Sequence, residues 1–184
     1  MTRLDARAVA ANRAAVKWSR REQAARVLWA CARPLFALSP RPLWGWRRFL
    51  LRAFGARVGA QVHVCPGVRV FMPWNVELGD YALIGDGAHL YALGHIRIGS
   101  YATVSQGAHL CAGTHDHRDP LMPLVKARID IGAGAWICAE AFIGPDVRVG
   151  AEAVVGARAL VVRDVEPGCV VASETARLRG PRWR

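Results

Sequence analysis

The chain has no long apolar run. Its longest, Val27 to Leu38, contains Arg33 and Pro34 and falls well short of the ~20 residues that a bilayer-spanning helix needs, so no transmembrane span is expected. The N-terminus scatters arginines and offers no uninterrupted apolar core before a cleavage site, so a secretory signal is not expected either. Cysteine is sparse: Cys31, Cys65, Cys111, Cys138 and Cys169 are odd in number and show no paired spacing. That suggests neither a disulfide framework nor a zinc site, and a reducing cytoplasm is the simpler expectation. Acidic residues are nearly missing from the first third. Residues 1 to 57 hold 13 Lys and Arg against only Asp5 and Glu22, while residues 58 to 184 hold 12 of each sign, so the whole formal excess of +11 lies at the N-terminal end. Such a segment suits nucleic acid, an anionic membrane or plain solvation. Nucleic acid is not expected as a partner, because no recognised binding motif accompanies the charge and the rest of the chain is neutral.

What the chain does have is a repeat. From Ile129 to Val162 it reads IDIGAGA, WICAEA, FIGPDV, RVGAEA, VVGARA, LVV. Ile131, Ile137, Ile143, Val149, Val155 and Val161 hold the first place of each unit, and Ala135, Ala141, Val147, Ala153, Ala159 and Val165 the fifth. A period of six fits neither a helix nor an alternating strand, so it signals a repeat architecture. The same signature returns at Val58, Val64 and Val70, at Leu78, Ile84 and Leu90, and at Ile98, Val104 and Leu110. Three short strands per triplet make one coil of a triangular prism, with aliphatics inside and small residues at the corners. Coils stack at strand spacing, roughly 4.8 Å, and bury a continuous core.

These residues resemble the hexapeptide-repeat acyltransferases with a left-handed parallel β-helix; the handedness comes from the resemblance. The expected fold class is an all-β solenoid of about five coils with an N-terminal helical segment. Residues 1–56 form the basic helical segment, 57–172 the β-helix with a loop at 114–130, and 173–184 a basic tail. One amphipathic helix is expected up to Pro34, which ends it. A second covers Leu43 to Phe54 and stops at Gly55. The pair either caps the open edge of the first coil or rests on a membrane, with arginines at phosphates and tryptophans at the interface. Two-residue additions at Pro73 to Val76 and Gly94 to Ile96 lengthen one corner in successive coils. The repeat then stops at HDHRDPLMPLVKARID, a loop displaced from a rigid scaffold, where function often resides.

His115 stands where the chain leaves for this loop. A neutral imidazole there can take a proton from a hydroxyl, its pKa lying near neutral pH, although a loop histidine read alone is more often simply solvated. The resemblance selects it: CAGTHD, Cys111 to Asp116, is similar to the family's loop-entry motif ending in its catalytic histidine. His117 is the competitor. His89 and His109 precede the aliphatic of the third strand in consecutive coils, so they point outward on one face, and with Asp86 they are candidates for an acceptor site; an exposed ladder or subunit contact is the alternative. Trp136 either walls the thioester end or packs on a neighbouring subunit. Where many relatives have an acceptor-binding asparagine this chain has Gly85, and where many have Asn-Pro-Ala after the last strand it has Glu174, Thr175 and Ala176.

The resemblance further implies acetyl-coenzyme A as donor, bound along the prism by Ala139, Ala157, Val162, Arg163 and Arg177, with no metal required and a homotrimer as the assembly. SPRPLWGWRRFLLRAFGARVG and VSQGAHLCAGTHD look most like the enzymes that O-acetylate sugars in exopolysaccharide assembly, as in colanic acid. A sugar or oligosaccharide acceptor follows from that, with a cytoplasmic location and a peripheral contact at the inner membrane face. Two alternatives stand beside this reading. One is a zinc carbonic anhydrase-like enzyme on the same prism, for which His89, His115 and His117 are the available set; the other is a non-catalytic scaffold.

Overall fold

The computed structural model describes residues 6–15, 18–119 and 121–173. Its body is a parallel β-solenoid whose three faces follow the period of six. The first face stacks Arg57–Val58, Val76–Leu78, Ile96–Ile98, Ile129–Ile131 and Arg148–Val149. The second stacks His63–Val64, Leu83–Ile84, Thr103–Val104, Trp136–Ile137, Val154–Val155 and Val170–Val171, and the third Arg69–Val70, His89–Tyr91, His109–Cys111, Phe142–Ile143 and Leu160–Val161. All these pairings are parallel and in strict register, Val58 on Leu78 and Val64 on Ile84 for instance. The inward ladders, such as Leu78, Ile98, Ile131 and Val149, are buried. Each fully buried aliphatic contributes roughly 1.5–3 kcal/mol. The alanine two places before the inward aliphatic is buried as well, as at Ala82, Ala102, Ala135 and Ala153.

Five complete coils are followed by two sides of a sixth, formed by the parallel bridge of Val165 to Val149 and the strand Val170–Val171. The expectation of about five coils is thus slightly short. The inward step shrinks from six to four between Val161 and Val165, which hides the last turn from a strict period.

Three helices precede the solenoid: α1 (Ala6–Ala14), α2 (Arg20–Ala37) and α3 (Trp44–Ala53). A single helix ended by Pro34 is corrected on two counts. Ser19 opens α2 with a capping box, its hydroxyl accepting from the Glu22 N–H while the Glu22 carboxylate accepts from the Ser19 N–H. Pro34 lies inside α2. It removes one helical hydrogen bond at a cost of about 3 kcal/mol, and burial of Phe36 just beyond it holds the last turn in place. α3 ends as expected: Gly55 has φ +86°, and Gly55 N–H and Ala56 N–H donate to Arg52 and Leu51 carbonyls, the pairing of a Schellman motif.

The helices close the lower edge of the first coil. Many N–H groups of one coil donate to carbonyls of the next, as Gly59 does to Leu78 and His63 to Ala82, while others run the opposite way, as Tyr81 does to Ala60. Carbonyls on the lower side of the first coil have no coil beneath them, and donors from the helices meet them. Arg52 donates to Val58 O, Arg48 to Val62 O, Arg47 to Val64 O and Trp29 to Val70 O.

Candidate active site

The solenoid has three edges. The edge from the third face to the first carries the insertions: a short 3₁₀ turn at Pro73–Asn75, the extension at Gly94, and then the long excursion. Where a loop was expected, the excursion contains an antiparallel hairpin, Gly113–His115 against Leu124–Lys126. Its root sits on Gly94, where a Cβ would overlap the Ala127 carbonyl. Asp116 N–H donates to Pro123 O at 3.1 Å, and the Asp116 carboxylate accepts from Arg118 N–H at 2.9 Å, so that carboxylate stabilises the loop and does not orient His115.

His115 is exposed, and its Nδ1 lies 2.6 Å from the Met122 carbonyl oxygen. A carbonyl can only accept, so Nδ1 carries the proton. The neutral ring then keeps its lone pair on Nε2, which is the state a general base needs. Sequence reading gave no sign of the Met122 carbonyl, because a backbone acceptor seven residues away depends on the hairpin's register.

The hairpin is also tied to the helices. Lys126 pairs with Glu22 at 3.7 Å and lies 4.7 Å over the Trp18 ring, while Arg26 lies 5.0 Å over the same ring. Trp18, Arg26 and Lys126 were not singled out from the sequence. Contacts across a hundred residues of chain leave no local pattern.

The third face carries His89 and His109 one coil apart, their rings stacked at 4.6 Å and 17°. Burial pushes both imidazole pKa values below the ordinary histidine value, and the charges of Arg69 and Arg33 add to this at His89. Both rings are thus biased toward the neutral form. Nε2 of His109 is buried with no hydrogen-bond partner among the described residues. Asp86 lies on the second-to-third edge, where its carboxylate accepts from Gly67 N–H at 2.8 Å. Trp136 is half-exposed on the second face and donates to Ser105 Oγ at 2.9 Å.

Ala139 and Ala157 stack one coil apart on the second-to-third edge, Arg158 N–H donating to Ala139 O. Val162 and Arg163 share the third-to-first edge with the hairpin, two coils further on. Arg177 lies outside the described residues, as does nearly all of the tail. Within one chain, then, His115, Val162 and Arg163 share an edge, His89 and His109 lie on the adjoining third face, and Asp86, Ala139, Ala157 and Trp136 lie beyond it. Among the described residues no three His, Cys, Asp or Glu side chains converge to hold a metal. His89, His115 and His117 are divided between the prism face and the hairpin.

A hexapeptide solenoid with an exposed, tautomer-fixed histidine on an edge hairpin defines the architecture of a hexapeptide-repeat transferase, and known proteins agree. No family model matches the chain. It is 40% identical over 148 residues, 80% of this chain and 81% of the other, to a protein of Escherichia coli (strain K12) whose provisional name is colanic acid biosynthesis acetyltransferase WcaF. The Shigella flexneri protein of the same name matches equally. Among solved structures, a maltose O-acetyltransferase from Clostridium difficile 630 superposes with a TM-score of 0.77 at 20% identity, over 84% of each chain. A hexapeptide-repeat acetyltransferase from Vibrio cholerae O1 biovar eltor, complexed with acetyl-coenzyme A, gives 0.76 at 22% identity over 88% of this chain and 89% of that one. These likenesses establish the fold. Given its identity to WcaF over four-fifths of both chains, the protein belongs to the hexapeptide-repeat acetyltransferase family.

Proposed function

We propose that the protein transfers an acetyl group from acetyl-coenzyme A to a sugar hydroxyl during exopolysaccharide assembly, with His115 as the base. Its E. coli relative is named for colanic acid biosynthesis, and structural neighbours include complexes with acetyl-coenzyme A and coenzyme A. The observation that carries the role of His115 is the Nδ1–H bond to Met122 O, which leaves Nε2 free. Nε2 takes the hydroxyl proton as the oxygen attacks the thioester carbonyl. Collapse of the tetrahedral adduct breaks the C–S bond, and the proton passes to the departing thiolate. The products are the O-acetyl sugar and free coenzyme A.

Val162, Arg163, Ala139 and Ala157 are proposed to line the donor's path, with Arg177 contributing from the tail, and His89, His109, Asp86 and Trp136 to lie near the acceptor or the thioester. Because these residues occupy different edges of one prism, a complete site needs a neighbouring copy, and a homotrimer supplies one. The faces differ in a way that supports this assembly. The first face is charged, with Arg57, Glu77, Arg97, Asp130 and Arg148 outward, whereas the second presents Leu83, Trp136, Val154 and Val170.

A peripheral membrane contact through the N-terminal helices is also proposed. Leu28, Leu35, Leu38, Trp46 and Phe49 are exposed there beside arginines, the composition of an interfacial surface. No described helix is long and apolar enough to cross a membrane.

The test is acetyl-coenzyme A-dependent thiol release with a panel of sugar and oligosaccharide acceptors, comparing wild type with His115→Ala. Loss of a general base lowers turnover by roughly 10²–10⁴-fold. Equal turnover in both proteins would remove His115 from the mechanism.

A further inference from the structure

A groove lies between α2 and the third face, with a volume of about 640 Å³, within the roughly 300–1,000 Å³ range of small-molecule sites. Its floor is apolar, made by Trp29, Val70 and Phe71, while Arg26, Arg33, Arg69 and His89 stand around it. Among the described residues no carboxylate lines it. Glu22, the nearest acid on α2, is already engaged by Ser19 and Lys126. None of the three guanidinium groups makes an ion pair among the described residues, and Arg26 is held over the Phe71 ring at 5.6 Å. Three cations around an apolar floor repel one another, and an anion relieves that repulsion. The groove is linked to the hairpin that carries His115, because Arg26, which lines it, and Lys126 of the hairpin both lie over the Trp18 ring.

We propose that this groove binds an anionic group of the acceptor, a carboxylate or a phosphate, with Arg33, Arg69 and Arg26 as its ligands and the saccharide resting on Phe71. This rests on the reading of the protein as a sugar O-acetyltransferase and narrows its substrate to charged saccharides. Arginine suits the role because its planar fork matches both groups. His89, which also lines the groove, supplies a hydrogen bond.

The test measures binding of three sugars to the full chain by calorimetry at low salt. One oligosaccharide carries a uronate, the second has the corresponding neutral hexose, and the third is the neutral oligosaccharide on a short prenyl diphosphate. At least one charged sugar is expected to bind about tenfold tighter than the neutral one, and the charged sugar that does so separates a uronate from a diphosphate source. Arg33→Ala and Arg69→Ala, whose side chains make no hydrogen bond or ion pair among the described residues, are each expected to weaken that sugar by about tenfold. Arg148→Ala, an equal charge loss on the first face, is expected to leave its affinity unchanged. Equal affinity for all three sugars, a charge preference that survives the double variant, or no binding at all would overturn the proposal. Thiol release is read separately. Charged-sugar binding without acetyl transfer would sink the enzymatic reading and leave the anion site standing, whereas equal transfer to charged and neutral acceptors would do the reverse.

Discussion

Arg47 offers the sharpest test of how the solenoid is closed. It is fully buried and has no carboxylate partner. Its guanidinium donates to Val64 O at 2.6 Å, Ser39 Oγ at 2.8 Å, Pro40 O at 2.9 Å and the Arg41 carbonyl, with Trp44 packed 4.7 Å from its face. Replacing it with Met keeps the stem and removes every donor. A buried acceptor left without a donor costs about 1–3 kcal/mol. Val64 O carries the full amount, while Pro40 and Arg41 carbonyls carry less because their surroundings are only part-buried and water can enter. The sum, reduced because the cation no longer has to be buried, is about 3 kcal/mol. For a chain of this size that lowers the melting temperature by roughly 6–12 °C. Because contacts in a solenoid are between neighbours, the loss is also expected to be local. Hydrogen exchange should quicken first at first-coil amides such as His63 and Cys65, ahead of Phe142 and Trp136. Arg47→Lys, which cannot fork to four acceptors, is expected to fall between the two. Wild-type melting and exchange in Arg47→Met would refute the claim that donors on the helices close the carbonyl edge.

Three further outcomes follow from other parts of the molecule. Gly94→Val forces the hairpin root off Ala127; since a displacement of about 1 Å at a catalytic group can cost roughly 10²-fold, turnover should fall by one to two orders with the circular dichroism spectrum retained, and an unchanged rate would mean that the root does not position His115. His89 and His109 have folded pKa values below the ordinary histidine value, so on acidification the unfolded chain binds protons before the fold does, and their contribution to stability is lost as pH drops below about 6.5. His109→Phe should therefore flatten the decline in melting temperature between pH 7 and 5, and an unaltered slope would exclude this pair as its cause. Leu38→Glu with Phe49→Glu should abolish flotation with anionic vesicles at low salt, and retention of both variants at the wild-type level would locate any vesicle contact elsewhere.

Much of the fold was legible because a period of six leaves a signal at every coil: the inward ladders, the three faces and the lengthened third-to-first edge can all be read from spacing. The capping box at Ser19 and Glu22 leaves a sequence signature, S-x-x-E, that went unread, and Pro34, as a strong local breaker, drew the expected helix end upstream of Ala37. The hairpin could not be read, since its strands are too short for alternation and their register rests on Gly94 and Leu93 beneath them. His115 was reachable only through the similarity of CAGTHD to a family motif, because no periodic position distinguishes it from His117. What fixes its tautomer, the Met122 carbonyl, is a product of the hairpin and has no side-chain signature.

The uneven charge of the chain follows in good part from the direction of its hydrogen bonds. Carbonyls on the free edge of the first coil need donors, and Arg47, Arg48, Arg52 and Trp29 supply them. The converse holds at the corners further up, where N–H groups of one coil face the next and acceptors are required. Asp80 accepts from Ala60 N–H, Asp86 from Gly67, Asp146 from Arg128 and Asp164 from Arg148. Cations therefore collect in the helical cap and carboxylates along the prism. Arg33 and Arg69 take no part in the closure, and Arg26 touches only aromatic rings. The same three arginines surround the groove beside α2, so a ligand that neutralises them accounts for charge that closing the solenoid leaves unexplained.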